Sequence, residues 1–151
     1  MSQQLETTSD VDLKAMSQGL PNFFVLPVDK LRGRKLKPKQ ACVVNLDKST
    51  GPGTHWVGIY NAPNQKFVLY YDSFGVPPDT RIQSFIRTSH KPFISLTHHL
   101  QDIYASSCGY YVMHFLHELN NGKTLGQYLS QWSLNDQKAN EATLRKYFQN
   151  K

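Results

Sequence analysis

The stretch that follows Cys108 carries a helical hydrophobic repeat, which constrains the fold more than any other part of this 151-residue chain. Its apolar side chains recur every three or four residues and belong to Tyr111, Val112, Phe115, Leu116 and Leu119. Such spacing is typical of a helix that buries one face against a core. Ser106 and Ser107 can cap its start, and Gly122 can end it. The pattern predicts a core helix that begins at Cys108.

Cys108 is the first residue of that predicted helix. The N-terminal end of a helix carries partial positive charge, which favours a thiolate over a thiol. A thiolate could attack a carbonyl at neutral pH, so Cys108 is a candidate nucleophile. The alternative is a small buried apolar residue, because cysteines outside disulfides are often buried. A partner base elsewhere in the chain would decide between the two.

Two β-rich runs, residues 55–60 and 67–72, flank a turn-forming linker. This arrangement predicts an antiparallel hairpin. A turn centred on the midpoint of the linker places His55 directly opposite Asp72, with the two side chains on one face and about 4.5 to 5.5 Å apart at Cβ. A slip of one residue would put them on opposite faces. The alternative is therefore a surface histidine and a surface aspartate at the sheet end.

Cys108, His55 and Asp72 are the residue types of a nucleophilic triad: a thiol, a base and a carboxylate that orients the base. Gln101 lies seven residues before Cys108 and supplies an uncharged amide donor. Together with the backbone N–H of Cys108 it could form an oxyanion hole. A glutamine in a loop can equally be a solvated residue, and that alternative stays open.

These four residues, in the order His, Asp, Gln and Cys, resemble the adenovirus protease (adenain) family and its relatives, the SUMO- and ubiquitin-like-protein-processing cysteine peptidases. The resemblance spans about residues 10–120 and is carried by Lys39–Asn45, Thr54–Trp56, Tyr71–Gly75, Gln101–Gly109 and the helix Tyr110–Leu119. It implies an α+β fold with a central mixed β-sheet flanked by helices. We expect residues 1–151 to form a single cysteine peptidase domain.

The resemblance also implies roles for the four residues. His55 would be the general base and later the general acid, and Asp72 would orient it. Cys108 would be the nucleophile. Gln101 would help to hold the oxyanion beside the Cys108 N–H.

Trp56, Gly53 and Thr54 are the expected substrate-binding residues. In the resembling family an aromatic wall after the histidine narrows the channel near the scissile bond, which favours small substrate residues, commonly glycine. Trp56 matches that aromatic residue in sequence. It could equally be an ordinary core aromatic residue in a strand.

Three functions follow as alternatives. The first is a cysteine endopeptidase of the viral-maturation type, which cleaves capsid or core precursor proteins at Gly-containing sites in the virion and in the nucleus or cytoplasm of the infected cell. The second is a deubiquitinase or deSUMOylase-type isopeptidase that acts on host conjugates. The third is a binding module in which Cys108 is structural, and the presence of all four site residues argues against it. The small chain favours short linear substrates.

Two departures from the adenoviral pattern bear on activation. The acid is Asp72, as in the SUMO-processing branch, where adenoviral enzymes commonly have Glu. No cysteine occurs between Pro92 and Leu100, where the activating viral peptide of adenoviral enzymes can be disulfide-linked. The chemistry requires no cofactor, and DNA and a viral peptide are the candidate activators.

The size of 17.3 kDa predicts one domain. Cys42 lies in an apolar run and is expected to be a buried strand thiol, so the two cysteines do not form a disulfide scaffold. No apolar run reaches the length of a membrane span, and the first residues are unlike a signal peptide. We expect an intracellular monomer with no membrane partner.

The net charge of +6 has a local source. Six cations fall within ten residues and belong to Lys30, Arg32, Arg34, Lys35, Lys37 and Lys39. Such a run attracts phosphates, and the resembling family uses DNA as an activating track, so these are candidate nucleic-acid-binding residues. A solvated loop is the alternative.

Four histidines are candidate metal ligands, namely His98, His99, His114 and His117. His114 and His117 lie three apart on the predicted helix, but no Cys or carboxylate at zinc spacing joins them. We therefore expect no metal site, with both residues on the polar side of the helix.

The remaining pattern predicts a short helix capped at residues 8–10, a loop or helix over 77–90, and tail helices over 124–132 and 135–148. Strands are predicted near residues 23–26, 41–46, 55–60, 67–72 and 93–97. Helices at both ends of the chain would then flank a central sheet.

Overall fold

The computed structural model describes residues 5, 8–47, 55–63 and 65–149. Its strands form one five-stranded sheet in chain order and are β1 (Phe24–Pro27), β2 (Ala41–Asn45), β3 (Trp56–Tyr60), β4 (Val68–Tyr71) and β5 (Phe93–Ser95). Its helices are α1 (Asp10–Ala15), α2 (Thr80–Arg87), α3 (Cys108–Asn120), α4 (Leu125–Ser130) and α5 (Gln137–Gln149), with a 3-10 turn over Val28–Lys30. The predicted α+β fold with a mixed sheet is confirmed.

The direction of the strands determines where the site residues gather. The central pairs β2–β3 and β3–β4 are antiparallel, whereas the outer pairs β1–β2 and β4–β5 are parallel. The carboxyl ends of β1, β2, β4 and β5 therefore lie at the same end of the sheet as the start of β3. His55 immediately precedes β3 and Asp72 immediately follows β4, so both lie at this end.

The register of the hairpin differs from the prediction. Gly58 pairs with Tyr71 and Ile59 with Tyr70, a shift of two residues, so His55 and Asp72 are not directly opposed. Asn61 is drawn out of the hairpin, because its backbone N–H donates to the Gln40 carbonyl (2.9 Å) and its side-chain amide donates to the Lys37 carbonyl (3.0 Å). Because side chains alternate with a period of two, the shift keeps His55 and Asp72 on the same side, as diagonal neighbours.

Helix α3 lies between the sheet and the C-terminal helices. One core cluster joins it to the inner face of the sheet and to α4 and α5, and includes Tyr71, Val112, Phe115, Tyr128 and Leu144. A second cluster fills the other face of the sheet under α2 and includes Val44, Ile59, Tyr70, Ile82 and Phe85. The sequence predicted one buried face for α3, but α4 and α5 cover much of the rest.

Because α4 and α5 cover this side of α3, the prediction for His114 is wrong. His114 does not lie on a polar side of the helix and is only 1% exposed. Its ring packs edge to face on Tyr147 of α5, with 4.3 Å between ring centroids, and on Trp132. His117 is partly buried and its Nε2 lies 2.6 Å from the Met16 carbonyl oxygen.

Gly58 of β3 allows α3 to approach the sheet closely. A Cβ built at this position would lie 2.9 Å from the Cγ1 atom of Val112 on α3. A valine side chain has little freedom to move aside. The helix that begins with Cys108 therefore packs against β3 at a position, Gly58, that requires glycine.

We expect Gly58→Ala to destabilise the protein by about 1–3 kcal/mol, because the added methyl group overpacks the contact between β3 and Val112. Gly126→Ala in α4 is the matched control, because a Cβ there meets nothing closer than 3.9 Å. The control should be neutral or stabilising by up to about 1 kcal/mol. Urea denaturation of both variants measures the difference, and equal stabilities would contradict this account of the packing.

Candidate active site

His55 and Asp72 form a hydrogen-bonded pair at the end of the sheet. The Nε2 atom of His55 lies 3.1 Å from Oδ1 of Asp72, so Nε2–H donates to the carboxylate. The Asp72 side chain is buried, whereas the His55 side chain is 23% exposed. The carboxylate thereby fixes the tautomer and leaves Nδ1 as the ring nitrogen available to a thiol.

The turn from Asp72 to Gly75 holds this pair in place. The Phe74 backbone N–H donates to the same Asp72 Oδ1 (2.9 Å), and the Gly75 N–H donates to the Asp72 carbonyl (2.8 Å). The Phe74 ring packs on the His55 ring, with centroids 5.4 Å apart. Gly75 has a φ of +74° and its Cα lies against the Thr97 carbonyl, so the turn requires glycine there.

Cys108 begins α3, as predicted, and its side chain interacts with His55. Burial lowers the pKa of His55, but the hydrogen bonds and electrostatic interactions that the ring makes with Asp72 and Cys108 outweigh it and raise the pKa from its ordinary 6.5 to about 9. His55 therefore carries a proton at neutral pH. An imidazolium beside a cysteine at a helix N-terminus suits a thiolate–imidazolium pair.

Gln101 is buried, and its amide orientation is fixed by two hydrogen bonds. The Ser73 hydroxyl donates to its Oε1 (2.6 Å), and its Nε2 donates to the Ala105 carbonyl (2.9 Å). The backbone N–H groups of Leu100 and Gln101 both donate to the Ser73 carbonyl (2.8 and 3.1 Å). The amide has two N–H bonds, and its hydrogen bonds in the described structure use one of them. The solvated-loop alternative for Gln101 is wrong.

The predicted serine cap of α3 has a different role. Ser107 occupies the N-cap position, but its hydroxyl makes no capping bond. It donates instead to Oε1 of Glu141 on α5 (2.6 Å). This contact could not be predicted from the sequence, because no local pattern connects Glu141 to a residue 34 positions earlier.

The expected substrate-binding residues are divided between two parts of the chain. Trp56 is buried in the core cluster on α3, and its indole N–H donates to the Thr8 carbonyl (3.2 Å). Gly53 and Thr54 lie outside the described residues. A role for these three residues in a substrate channel stays a prediction.

Cys42 is a buried strand thiol, as predicted. It lies in β2, its Sγ is 3.7 Å from the Ile59 carbonyl oxygen, and burial raises its pKa far above the usual range. It belongs to the core cluster under α2, whereas Cys108 belongs to the cluster around α3. No disulfide joins the two thiols.

The six cations of the basic run lie away from these residues. All of their side chains are exposed, and Arg34 stacks over the Phe24 ring, 5.2 Å from its centroid, on the α2 side of the sheet. A surface groove of about 620 Å³ there is lined by four cations, Arg32, Arg34, Lys35 and Arg81, with Leu31 and Phe85. The structure does not bring this run together with Cys108.

Among the described residues, no cluster of three or more His, Cys, Asp or Glu side chains is arranged to hold a metal ion. None of the helices built from these residues is both long enough and apolar enough to cross a bilayer.

The fold is similar to two solved structures of the ASFV pS273R protease, with TM-scores of 0.62 and 0.63 at 17% and 16% sequence identity. The similarity covers 93% and 90% of this chain but 66% and 63% of the ASFV protease chains, so this chain spans less than two thirds of their length. A structure of the SUMO protease Ulp1 with its catalytic cysteine oxidised to a sulfinic acid has a TM-score of 0.51 at 16% identity, covering 90% of this chain and 71% of Ulp1.

The sequence matches no protein-family model and no curated protein. At these identities the structural similarity establishes the fold. The chain has the fold of the ASFV pS273R protease and the SUMO protease Ulp1, which the sequence resemblance predicted.

The raised pKa of His55 predicts a pH-dependent contribution to stability. Because the folded-state pKa of about 9 lies above the ordinary 6.5, the contribution is complete below pH 6.5 and is lost as the pH rises through 9. We expect the difference in free energy of unfolding between wild type and His55→Gln to be largest in acid and to shrink over this window. Urea denaturation at several pH values measures it, with Cys42→Ala as a control outside the site. A difference that grew with pH would contradict the assignment.

Proposed function

We propose that this chain is a cysteine peptidase that cleaves protein substrates through Cys108, His55 and Asp72. The observation that carries the proposal is the position of His55, whose Nε2 is bonded to buried Asp72 while the ring also interacts with Cys108. A base held between a carboxylate and a thiol at a helix start is the arrangement that nucleophilic catalysis requires. The cysteine peptidase fold supports the same conclusion.

The first half-reaction would form an acyl-enzyme. The Cys108 thiolate attacks the scissile carbonyl carbon, a C–S bond forms, and the carbonyl electrons move to the oxygen. The Gln101 amide and the Cys108 backbone N–H hold this oxyanion. The C–N bond then breaks, and the leaving amine takes the proton of the His55 imidazolium.

The second half-reaction would release the acyl group. Neutral His55 takes a proton from water as the water oxygen attacks the thioester carbon. The C–S bond then breaks, which restores the thiolate and the imidazolium. Asp72 orients the ring in both steps and exchanges no proton itself.

For the substrate we propose precursor proteins of a virus, cut at Gly-containing sites during maturation in the virion and the infected cell. Similarity to the fold of a viral protease, at a TM-score of 0.62, supports this class. The alternative is an isopeptidase acting on ubiquitin-like conjugates, which the likeness to a SUMO protease supports at a TM-score of 0.51. The two classes differ in the substrate that the protein would cleave, a linear peptide or a ubiquitin-like protein.

We expect wild type to hydrolyse a fluorogenic substrate of one class, either a peptide with Gly-Gly at the scissile bond or a ubiquitin-like protein with a C-terminal fluorophore. Cys108→Ala should abolish turnover with the fold retained, and Gln101→Ala should lower kcat by about 10²- to 10³-fold, because one oxyanion donor is lost. Asp72→Asn should leave partial activity.

Iodoacetamide should alkylate Cys108 and spare Cys42, as measured by mass spectrometry.

Cys42→Ala is the matched control and should cleave at the wild-type rate. Peptidase activity in Cys108→Ala would show that the nucleophile is assigned to the wrong residue. An unreactive Cys108, with no cleavage of either substrate, would favour the binding-module alternative.

As a second function we propose binding of duplex DNA, a candidate activator, by the basic run. The supporting observation is that its six cations are all exposed and that three of them, Arg32, Arg34 and Lys35, line a groove to which Arg81 adds a further cation. Asp79 partly offsets Arg81 through an ion pair at 2.7 Å. The catalytic residues would stay accessible, because this surface lies under α2 and not beside α3.

We expect Lys35→Gln/Lys37→Gln to weaken DNA binding and to reduce the slope of log affinity against log salt by about 2, because about one counterion is released for each phosphate neutralised. Lys138→Gln/Lys146→Gln on α5 is the matched control, since it removes two exposed lysines elsewhere. Fluorescence anisotropy over a salt series, with cleavage measured with and without DNA, tests the proposal. Absence of DNA binding at low salt would contradict the proposal.

A further inference from the structure

Glu141 on α5 is a buried carboxylate that the proposed chemistry does not use. Glu141 is 7% exposed. Its two oxygens accept hydrogen bonds from residues at both ends of the segment that joins Gln101 to Cys108. Oε1 accepts from the Ser107 hydroxyl (2.6 Å). Oε2 accepts from the Tyr111 hydroxyl (2.6 Å) and, at 3.4 Å, from the Asp102 backbone N–H.

The three partners of Glu141 are all donors in this arrangement. Burial, followed by the hydrogen bond to Glu141, raises the pKa of Tyr111 far above its usual range, so its hydroxyl keeps its proton. An ionised carboxylate is an acceptor with several lone pairs and suits such a set. A buried carboxylate without these donors would be costly, so the contacts hold Glu141 and its partners together.

Neighbouring residues of α5 hold the other side of Gln101. The Asn140 side-chain amide donates to the Leu100 carbonyl (3.0 Å), and the Gln137 amide donates to the His99 carbonyl (3.2 Å). The backbone from His99 to Asp102 is therefore bonded to α5 on one side and to Ser73 on the other. Gln101 lies in the middle of this doubly held segment.

We propose that Glu141 is a positioning residue for the oxyanion hole, an inference that rests on the proposed peptidase function. Glu141 bonds to Asp102, which follows Gln101, and to Ser107, which precedes Cys108. Gln101 and Cys108 are the residues proposed to supply the oxyanion donors. One carboxylate thereby sets the separation of the two donors. The pairing of Cys108 with His55 depends instead on Asp72, and the hydrogen bonds that Glu141 makes among the described residues do not include His55 or Asp72.

The test compares Glu141→Gln, which keeps the shape but replaces one acceptor oxygen with a donor, with Leu144→Ala, which removes core volume from the same helix. We expect Glu141→Gln to lower kcat about 10- to 100-fold on the substrate that wild type cleaves, with little change in KM. Its rate of alkylation by iodoacetamide at Cys108 should match wild type, because alkylation needs no oxyanion hole. Tyr111→Phe, which loses one donor, should give a smaller loss of kcat.

A second measurement needs no substrate. We expect the side-chain amide resonances of Gln101 in a ¹⁵N correlation spectrum to shift or broaden in Glu141→Gln and to stay unchanged in Leu144→Ala. Unchanged Gln101 resonances in Glu141→Gln would overturn the inference whether or not the chain is a peptidase. Wild-type kcat in Glu141→Gln, or equal losses of kcat in Glu141→Gln and Leu144→Ala, would also overturn it. Failure of wild type to cleave any substrate would overturn the proposed function separately.

Discussion

The arrangement of the candidate site depends on the hydrogen bonds that the Asp72 carboxylate accepts. One oxygen receives both the His55 ring N–H and the Phe74 backbone N–H, so the imidazole and the turn after β4 are held by the same atom. Since a buried carboxylate is stable only when it is paired or hydrogen-bonded, these contacts are strongly favoured. The next residue, Ser73, then holds the Gln101 amide. Four successive residues of one turn thus hold His55, Asp72 and Gln101, the three residues proposed as base, acid and oxyanion donor.

Much of this arrangement could be predicted from local sequence. The apolar repeat located α3 and placed Cys108 at its start, and the alternation of side chains in strands placed His55 and Asp72 on one side of the hairpin. The exact register could not be predicted, because Asn61 bonds to Lys37 and Gln40 on a distant segment. The contacts of Ser107 with Glu141 and of His114 with Tyr147 could not be predicted for the same reason, since Glu141 and Tyr147 lie on α5, a helix that no local pattern connects to α3. Register and burial are tertiary properties, whereas periodicity is a local one.

The two cysteines carry the same thiol group in different surroundings. Cys42 is enclosed between strands with a carbonyl oxygen near its sulfur, and burial there disfavours ionisation. Cys108 lies at the start of a helix, and its side chain interacts with the His55 ring. Side-chain type alone therefore says little about reactivity in this fold. What matters is which face of the sheet a thiol lies on and which groups reach it.

The parallel outer strands bring four carboxyl ends of the sheet, and the segments that leave them, to the same edge as His55. The segments that leave β1 and β5 also carry core residues, since Leu31 belongs to the cluster under α2 and Leu100 to the cluster around α3. The same segments therefore contribute both to the packing of the domain and to the edge at which His55 and Asp72 lie. A change in the length of either segment would move core side chains together with the candidate site. Stability and the geometry of the candidate site are thereby coupled through the same residues.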